Sequence, residues 1–281
     1  MKRTVRPRPP LLRALGANDP PPRIEIDGHT YHWVETFKHD SWAATAKYAG
    51  EPGEVVCKFN RVQPVLSIPM TWLGRRLARR EARALAKLAD VPGIPELCGP
   101  VKVDGHRREN AVAHAFVPGH PIASREWLND DFFPDLVNIL RAVHERGIAY
   151  VDLHKRENII VGDDDSPYLV DFQVCYCLWY PRLQKNFILR WILQALQRMD
   201  LYHLAKHIKN HRPDQVDLFI DPVDAMRPAW IDVHRKIAAP LRKLRRAVLV
   251  YLGVRARGGR ALTESFAEDA VRREKTLKQA A

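Results

Sequence analysis

The chain lacks any long hydrophobic stretch. Its uninterrupted apolar runs, such as residues 247–252, are far shorter than the roughly 20 residues that a membrane-spanning helix needs. The basic start of the chain contains no apolar segment typical of a secretion signal, because Arg13 follows directly after Leu11 and Leu12. With 281 residues and 46% hydrophobic content, the chain is still able to bury a substantial core. We therefore expect a soluble protein of the cytoplasm.

Cysteine is also scarce, with four in the whole chain. Cys175 and Cys177 stand close together, but no second cysteine or histidine pair follows at the spacing of a zinc site. This pattern favours ordinary buried thiols in a reducing compartment over a metal-thiolate site.

Acidic residues are absent from two segments of this basic chain, whose formal net charge is +12. Residues 1–13 carry five basic side chains and residues 235–260 carry nine. Leucine and valine recur at helical spacing within residues 239–260, which is typical of an amphipathic helix on an anionic membrane or a phosphorylated glycolipid. A surface helix packed on the protein fits the same pattern. Nucleic acid is disfavoured, because no segment combines aromatic and basic residues as RNA-binding modules do.

The order of local patterns predicts an α+β fold with two lobes. Residues 1–22 are rich in proline and arginine and predict a flexible or extended arm. Asp27 and Gly28 separate two alternating segments and predict a β-hairpin, with further strands up to residue 59. Residues 71–89 have helical periodicity. Its leucines at 73, 77, 85 and 88 are expected to form the packed face.

The second half of the chain is predicted to be mostly helical. Two short strands, 98–103 and 110–117, are expected to meet at a turn formed by Asp104 and Gly105, followed by a connector near residue 118. Helices are predicted at about 131–146 and within 183–209. We expect a first lobe of residues 23–117, a small antiparallel sheet with one helix, a helical second lobe of residues 118–234, and a basic helical tail of residues 235–281.

Two aspartates flanked by apolar residues are the strongest chemical signal. Asp152 and Asp171 each follow β-branched or aromatic residues, and burying such a carboxylate is costly without a charged or metal partner. Asn158 lies between them. Two carboxylates and an amide oxygen are suited to Mg²⁺, which proteins usually hold together with nucleotide phosphates. The sequence therefore predicts phosphoryl transfer.

A lysine and a glutamate form a second candidate pair. Glu81 lies in the apolar stripe of its predicted helix, four residues from both Leu77 and Leu85, and Lys58 ends a predicted buried strand. A lysine–glutamate pair between a strand and the next helix positions the α- and β-phosphates of ATP in kinases. The alternative is that Glu81 reaches solvent beside its neighbouring arginines.

Taken in order, Lys58, Glu81, Asp152, Asn158 and Asp171 resemble the protein-kinase-like superfamily over about residues 30–205. The resemblance implies a two-lobed kinase-like fold in which Asp152 orients or deprotonates an acceptor hydroxyl, while Asn158 and Asp171 bind Mg²⁺. The matching segments are VVCK at 55–58, RREARAL at 79–85, HERGIAYVDL at 144–153 and LVDFQ at 169–173.

The chain departs from ordinary protein kinases at several points. Tyr150 replaces a histidine, Asn158 lies one residue further from Asp152, and Gln173 replaces the glycine after Asp-Phe. Residues 38–46, the expected phosphate-covering loop, contain no glycine, and no Ala-Pro-Glu motif follows Asp171. These features are similar to compact bacterial branches, the RIO-type and lipopolysaccharide-core kinases.

The resemblance implies ATP and Mg²⁺ as cofactors, bound between the lobes. Ser41 or backbone amides are expected to contact the phosphates in place of glycines, and Phe116 and Val117 are expected to contact the adenine. Lys155 either neutralises the transferring phosphoryl group or is a solvated loop lysine. His154 is expected to be a packing residue of the loop.

The predicted function is a kinase that transfers the γ-phosphate of ATP to a hydroxyl group. The acceptor is either a protein serine or threonine, or a sugar of a membrane glycolipid at the inner face of the membrane. The alternative is an inactive kinase-like scaffold that binds nucleotide, which the glycine-free loop and the altered spacing of Asn158 favour.

Overall fold

A computed structural model of the chain describes residues 9–215 except 66 and 125, together with residues 247 and 250. The predicted basic tail helix of residues 239–260 therefore lies outside the described residues, apart from those two positions. Within the described part, no helix is both long and apolar enough to cross a membrane.

The first half of the described chain forms one seven-stranded antiparallel sheet. Its strand order is β6-β5-β1-β2-β3-β4-β7. The strands are β1 (Arg23–Ile26), β2 (His29–His39), β3 (Ala43–Gly50), β4 (Gly53–Asn60), β5 (Lys102–Val103), β6 (His106–Arg107) and β7 (Ala111–Ala115).

The predicted hairpin at Asp27 and Gly28 is confirmed. Both residues have positive φ, 51° and 86°, as a tight two-residue turn between twisted strands requires. A turn does form at Asp104 and Gly105, but the prediction that it joins strands 98–103 and 110–117 is wrong. The turn joins the short strands β5 and β6. The residues before β5 form no continuous strand, since Cys98 makes only a single backbone hydrogen bond to Ala113.

The predicted flexible arm is wrong for residues 9–22, which pack on the sheet. Ala14 is fully buried, and its N–H donates to the carbonyl of Asp40 at 2.7 Å. The hydroxyl of Tyr48 donates to the carbonyl of Pro21 at 2.8 Å. Proline lacks an N–H but keeps its carbonyl acceptor, so a proline-rich segment is still able to accept hydrogen bonds from a neighbouring strand.

One helix, α1 (Thr71–Lys87), packs on this sheet, as predicted. Its buried face is formed by Gly74, Ala78, Glu81 and Leu85, whereas the leucines at 73 and 77, predicted to be packed, are only half-buried. Small residues lie on this face because α1 packs closely against the backbone that follows β4. A Cβ atom on Gly74 would lie 2.3 Å from the carbonyl oxygen of Arg61.

The second half is mainly helical, with two small sheets. The strands β8, β10 and β11 form one antiparallel sheet, and β9 pairs with β12. The elements are β8 (Gly119–Pro121), α2 (Phe132–Glu145), β9 (Ile148–Ala149), β10 (Ile159–Gly162), β11 (Pro167–Leu169), β12 (Tyr176–Cys177), α3 (Pro181–Gln184) and α4 (Phe187–His211).

The core consists of two hydrophobic clusters. One is formed by the first sheet, and the other by α2, the small strands of the second half, α4 and the end of α1. Residues 116–118 connect the two halves between β7 and β8. The α+β class is thus confirmed, and the arrangement is consistent with the predicted two lobes.

Candidate functional site

Lys58 lies at the centre of a buried charged cluster. It is on β4, and its Nζ donates to Glu81 Oε1 at 2.7 Å and to Asp171 Oδ1 at 2.8 Å. Burial alone would lower the pKa of Lys58, but the negative charges of Asp171 and Glu81 outweigh it and raise the pKa above its ordinary value. The ammonium is therefore kept charged inside the protein.

Glu81 is the least solvated member of this cluster. It is on the buried face of α1, and burial raises its pKa while Lys58 opposes that rise. Its second carboxylate oxygen, Oε2, is buried and has no hydrogen-bond partner within the described structure. The alternative interpretation from the sequence, in which Glu81 reaches solvent, is therefore wrong.

Asp171 lies in the loop after β11, held by the residue that follows it. Phe172 is fully buried, and its ring packs edge-to-face on Tyr150 with centroids 5.0 Å apart. Asp171 itself has a φ of 63°, which is uncommon for a residue other than glycine. Burial would raise its pKa, but Lys58 lowers it below the ordinary value, with further contributions from Lys155 and Lys38.

Asp152 and Asn158 lie in the loop between β9 and β10. The carboxylate of Asp152 is buried and accepts a hydrogen bond from Lys155 Nζ at 2.6 Å. Asn158 is also buried, and its Nδ2 donates to the carbonyl of Asp152 at 3.2 Å. That bond uses the amide nitrogen and leaves the amide oxygen as the atom suited to a cation. Lys155 is thus hydrogen-bonded to Asp152, which argues against the alternative that it is only a solvated loop lysine.

His154 differs from its predicted role as a packing residue. Its side chain is 54% exposed, and its Nδ1 lies 3.4 Å from Asp152 Oδ1. The packing of this loop comes instead from Leu153, which is fully buried, and from His207, whose Nε2 lies 2.8 Å from the Leu153 carbonyl.

Asp200 is a site residue that the sequence analysis missed. It is fully buried on α4 and accepts hydrogen bonds from the backbone N–H groups of Tyr150 and Val151 at 2.7 Å each, while His144 Nε2 lies 3.2 Å away. Val151 has a φ of 72°, a strained value for a β-branched residue, and it immediately precedes Asp152. Asp200 therefore fixes the backbone from which Asp152 projects.

A signal for Asp200 was present in the sequence. It is the first acidic residue after Asp171, at the end of a segment of 28 residues without any carboxylate. An isolated acid in an amphipathic helix needs a buried partner, and here the partners are backbone amides.

In the glycine-free loop between β2 and β3, an aspartate side chain accepts hydrogen bonds from the loop's own backbone amides. Asp40 Oδ1 accepts from the N–H groups of Trp42 at 2.7 Å and Ala43 at 3.0 Å, so these amides are already engaged. The Ser41 hydroxyl donates to the carbonyl of Leu12 at 2.9 Å. The prediction that Ser41 or these amides contact phosphates is therefore not supported, because the N-terminal segment and Asp40 occupy them.

Lys38 offers the positive charge that this loop otherwise lacks. Its Nζ lies 3.2 Å from Asp40 and 3.6 Å from Glu157, which is next to Asn158 in the chain. Its charge also lowers the pKa of Asp171. Lys58 thus contacts Asp171 and Lys155 contacts Asp152, whereas Lys38, on β2, acts on Asp171 through its charge alone.

Phe116 and Val117 lie in the connector between the halves, and both are half-buried. The Phe116 ring stacks on Phe37 with centroids 6.4 Å apart, and Lys47 Nζ lies 3.9 Å from its centroid. The N–H of Phe116 also donates to the carbonyl of Glu54 on β4 at 3.0 Å, and none of these described contacts joins Phe116 or Val117 to the charged cluster around Lys58.

The donor set fits a magnesium ion shared with phosphates better than a metal held by protein alone. Within the described residues, no group of three or more histidine, cysteine or acidic side chains is arranged to bind a metal. Mg²⁺ commonly takes one or two protein ligands and completes its shell with phosphate oxygens and water. Both described hydrogen bonds of the Asp171 carboxylate end on Oδ1, so Oδ2 and the amide oxygen of Asn158 suit such a site.

Three cysteines are buried and Cys98 is half-buried, and all four are free thiols. Burial raises the pKa of Cys175 to about 12, which keeps it protonated and unreactive.

No protein-family model matches the chain, and no curated protein is similar to it in sequence. What the molecule does is therefore inferred from its own residues.

Proposed function

We propose that the chain is an ATP- and Mg²⁺-dependent phosphotransferase of protein-kinase-like fold that transfers the γ-phosphate to a hydroxyl group. The observation that carries this proposal is the contact of Lys58 with both Glu81 and Asp171, which lie 23 and 113 residues away in the chain. In protein kinases, a strand lysine paired with a helix glutamate and an aspartate that binds magnesium must both be in place for phosphoryl transfer, and Lys58 brings Glu81 and Asp171 together in a comparable way.

Each residue of the cluster has a definite part in this proposal. Lys58, held by Glu81, contacts the α- and β-phosphates, and Asp171 with Asn158 holds the magnesium ion. When bound, the ion neutralises charge on the phosphate oxygens. Asp152 accepts a hydrogen bond from the acceptor hydroxyl and aligns it for attack.

Positive charge around the carboxylates supports a polyphosphate ligand. Lys58, on β4, contacts Asp171, and Lys155, in the loop after β9, contacts Asp152, while the charge of Lys38, on β2, acts on Asp171 through space. In a water-poor site, such preorganised charges stabilise a phosphoryl group whose negative charge is shifting. Lys155 is close enough to Asp152, 2.6 Å, to meet the transferring group where the hydroxyl attacks.

The short segment between Asp171 and α3 favours one class of hydroxyl acceptor over another. The helix α3 begins at Pro181, so few residues are available to form the loop on which an extended peptide usually lies. This favours a compact hydroxyl acceptor such as a glycolipid sugar, while a protein serine or threonine is the other acceptor class that we retain. Because the reaction uses ATP, we place the protein in the cytoplasm, at the inner face of the membrane for a lipid acceptor.

The test is transfer of label from γ-phosphate-labelled ATP, with Mg²⁺, into a cell extract that is then separated into protein and lipid fractions. We expect the wild type to label one fraction. Asp152→Ala and Asp171→Ala should reduce the rate by about a hundredfold or more. Asp163→Ala, an exposed acid in the same half, is the matched control and should behave as wild type.

Equal labelling by all four proteins would contradict the roles of Asp152 and Asp171. Nucleotide binding without transfer to any fraction would instead support the inactive scaffold.

A further inference from the structure

An exposed apolar surface lies where α3 leads into α4. Five large side chains there have exposed fractions between 40% and 79%. Three of them, at positions 187, 188 and 191, are one and four residues apart and so share one side of the first turns of α4. We call this surface the apolar face; its members are Tyr180, Leu183, Phe187, Ile188 and Trp191.

The segment that carries the apolar face has basic residues and no acidic ones. No acidic residue occurs between Asp171 and Asp200. The four basic residues of this interval are all exposed, and within the described structure none of them forms an ion pair. They are Arg182, Lys185, Arg190 and Arg198.

We propose that the apolar face binds the surface of an anionic lipid bilayer. Aromatic rings such as Trp191 and Phe187 are favoured at the boundary between headgroups and acyl chains. Arginine and lysine side chains at its border reach the lipid phosphates, each adding electrostatic attraction. The helix lies on the membrane and does not cross it, because its second half, which carries Asp200 and Leu204, is buried in the protein.

Electrostatics distinguish this partner from two other occupants of the apolar face. The chain's own residues 216–281 contain fourteen basic and eight acidic side chains, so they share the positive sign of the face. A second copy of the chain would bring two cationic surfaces together. An anionic bilayer is the partner whose charge complements the exposed bases.

Binding by this face does not require that the protein be a phosphotransferase. The two properties are nevertheless linked in space, since Asp200 is nine residues beyond Trp191 on α4 and therefore about 14 Å along the helix axis. A lipid-bound acceptor would thus be presented close to the loop of Asp152 that Asp200 holds.

The experiment uses the full chain and sedimentation with two kinds of vesicle, phosphatidylcholine alone and phosphatidylcholine with phosphatidylglycerol. We expect binding to the anionic vesicles and at least tenfold weaker binding to the neutral ones. The variant Phe187→Ser/Trp191→Ser should lower the anionic partition coefficient about tenfold or more. Trp127→Ser, which removes an even more exposed tryptophan elsewhere, is the control and should bind as wild type.

Charge variants separate the apolar face from the tail. Replacing Arg182, Lys185 and Arg190 by glutamine should weaken binding and reduce its sensitivity to salt. Replacing the four tail bases at 242, 243, 245 and 246 by glutamine should leave most of the binding intact.

Three results would overturn the proposal. The first is a wild type that does not bind anionic vesicles, or binds neutral ones equally well. The second is unchanged binding by Phe187→Ser/Trp191→Ser, or loss of binding only in the tail variant. The third is a wild-type dimer in solution that the double variant converts to a monomer, which would assign the face to a second copy of the chain.

Discussion

The carboxylate of Asp200 lies 2.7 Å from the backbone nitrogen of Val151, although the two residues are 49 positions apart. The same carboxylate accepts a bond from the preceding residue, so two consecutive amides of the loop end on one buried side chain. This loop carries Asp152, and the strained φ of Val151 is maintained by that anchor.

We expect Asp200→Ala to destabilise the protein by about 3 kcal/mol, because the backbone amides of Tyr150 and Val151 lose their charged acceptor. Asp200→Asn keeps one acceptor oxygen and should cost about half as much. Urea unfolding measures both effects. Asp163→Asn, at an exposed position, should leave the midpoint unchanged; an equal shift in Asp163→Asn and Asp200→Asn would show that the anchor has no special role.

The second prediction concerns the buried pair of Lys58 and Glu81. Lys58→Met removes the only cation bonded to Glu81 in the described structure and should cost about 3 kcal/mol at pH 8. Burial already raises the pKa of Glu81, and without Lys58 it should rise further. A raised pKa in the folded state means that stability falls as the pH rises through it, so the variant should be less impaired at pH 5.

The double variant Lys58→Met/Glu81→Gln is the control for this pair. It should recover a large part of the stability at pH 8 and lose the extra pH dependence, because no uncompensated charge remains on α1. Asp171 also loses its bond to Lys58, but its side chain is 30% exposed and it keeps the charges of Lys155 and Lys38 nearby. If the double variant is as unstable as Lys58→Met at pH 8, the loss comes from packing and not from charge.

The third prediction concerns Gln173, the residue after Asp171 and Phe172, where ordinary protein kinases have glycine. Its Nε2 donates to Oδ1 of Asn60, a fully buried residue at the end of β4. Gln173→Met keeps the volume but removes the donor, and we expect a loss of about 1 to 2 kcal/mol in unfolding experiments. Because Asp171 is two residues away, the Mg²⁺ concentration for half-maximal phosphotransfer should also rise.

A Gln173→Met protein with wild-type stability and wild-type Mg²⁺ dependence would mean that the contact with Asn60 fixes neither the loop nor the metal ligand. Gln194→Met, at an exposed position on α4, provides the comparison for a glutamine outside this loop.

The fourth prediction is a pH dependence that originates at His207. Burial lowers its pKa to about 4, below the ordinary 6.5, and its Nε2 is placed to donate to the Leu153 carbonyl as the neutral ring. Between these values the unfolded chain binds the proton and the folded protein does not. Stability should therefore be complete above pH 6.5 and decline as the pH falls toward 4, by on the order of 3 kcal/mol.

Denaturant unfolding between pH 7.5 and 4.5 measures this decline. His207→Gln should flatten part of it, while the remainder persists because burial also lowers the pKa of His114 to about 4. An identical pH profile in the variant and the wild type would exclude His207 as its source.

Local patterns predicted the elements well, because their causes lie within a few residues. The turn at Asp27 and Gly28 needs only two residues that tolerate positive φ, and α1 follows from its periodicity. The pairing of Lys58 with Glu81 was predictable because a carboxylate on a packed face needs a cation.

What the sequence did not reveal depends on contacts between distant segments. The Ser41 hydroxyl is engaged by Leu12, 29 residues earlier, and nothing around Ser41 indicates this. Asp200 reaches a loop 49 residues before it. Leu85 and Leu88 are buried as predicted, but in the first turns of α1 the buried positions are Gly74 and Ala78 and not Leu73 and Leu77. The helix approaches the carbonyl of Arg61 there, a distance that periodicity does not encode.

The bond between Lys58 and Asp171 joins the first sheet to the second half of the molecule. An anion that binds Lys58 has to compete with the Asp171 carboxylate for the same ammonium group. If the anion bound alone, it would break the bond between Lys58 and Asp171 and leave the Asp171 carboxylate without its counter-charge. A divalent cation entering with it would restore neutrality, so we expect the two ligands to bind cooperatively, each weakly by itself.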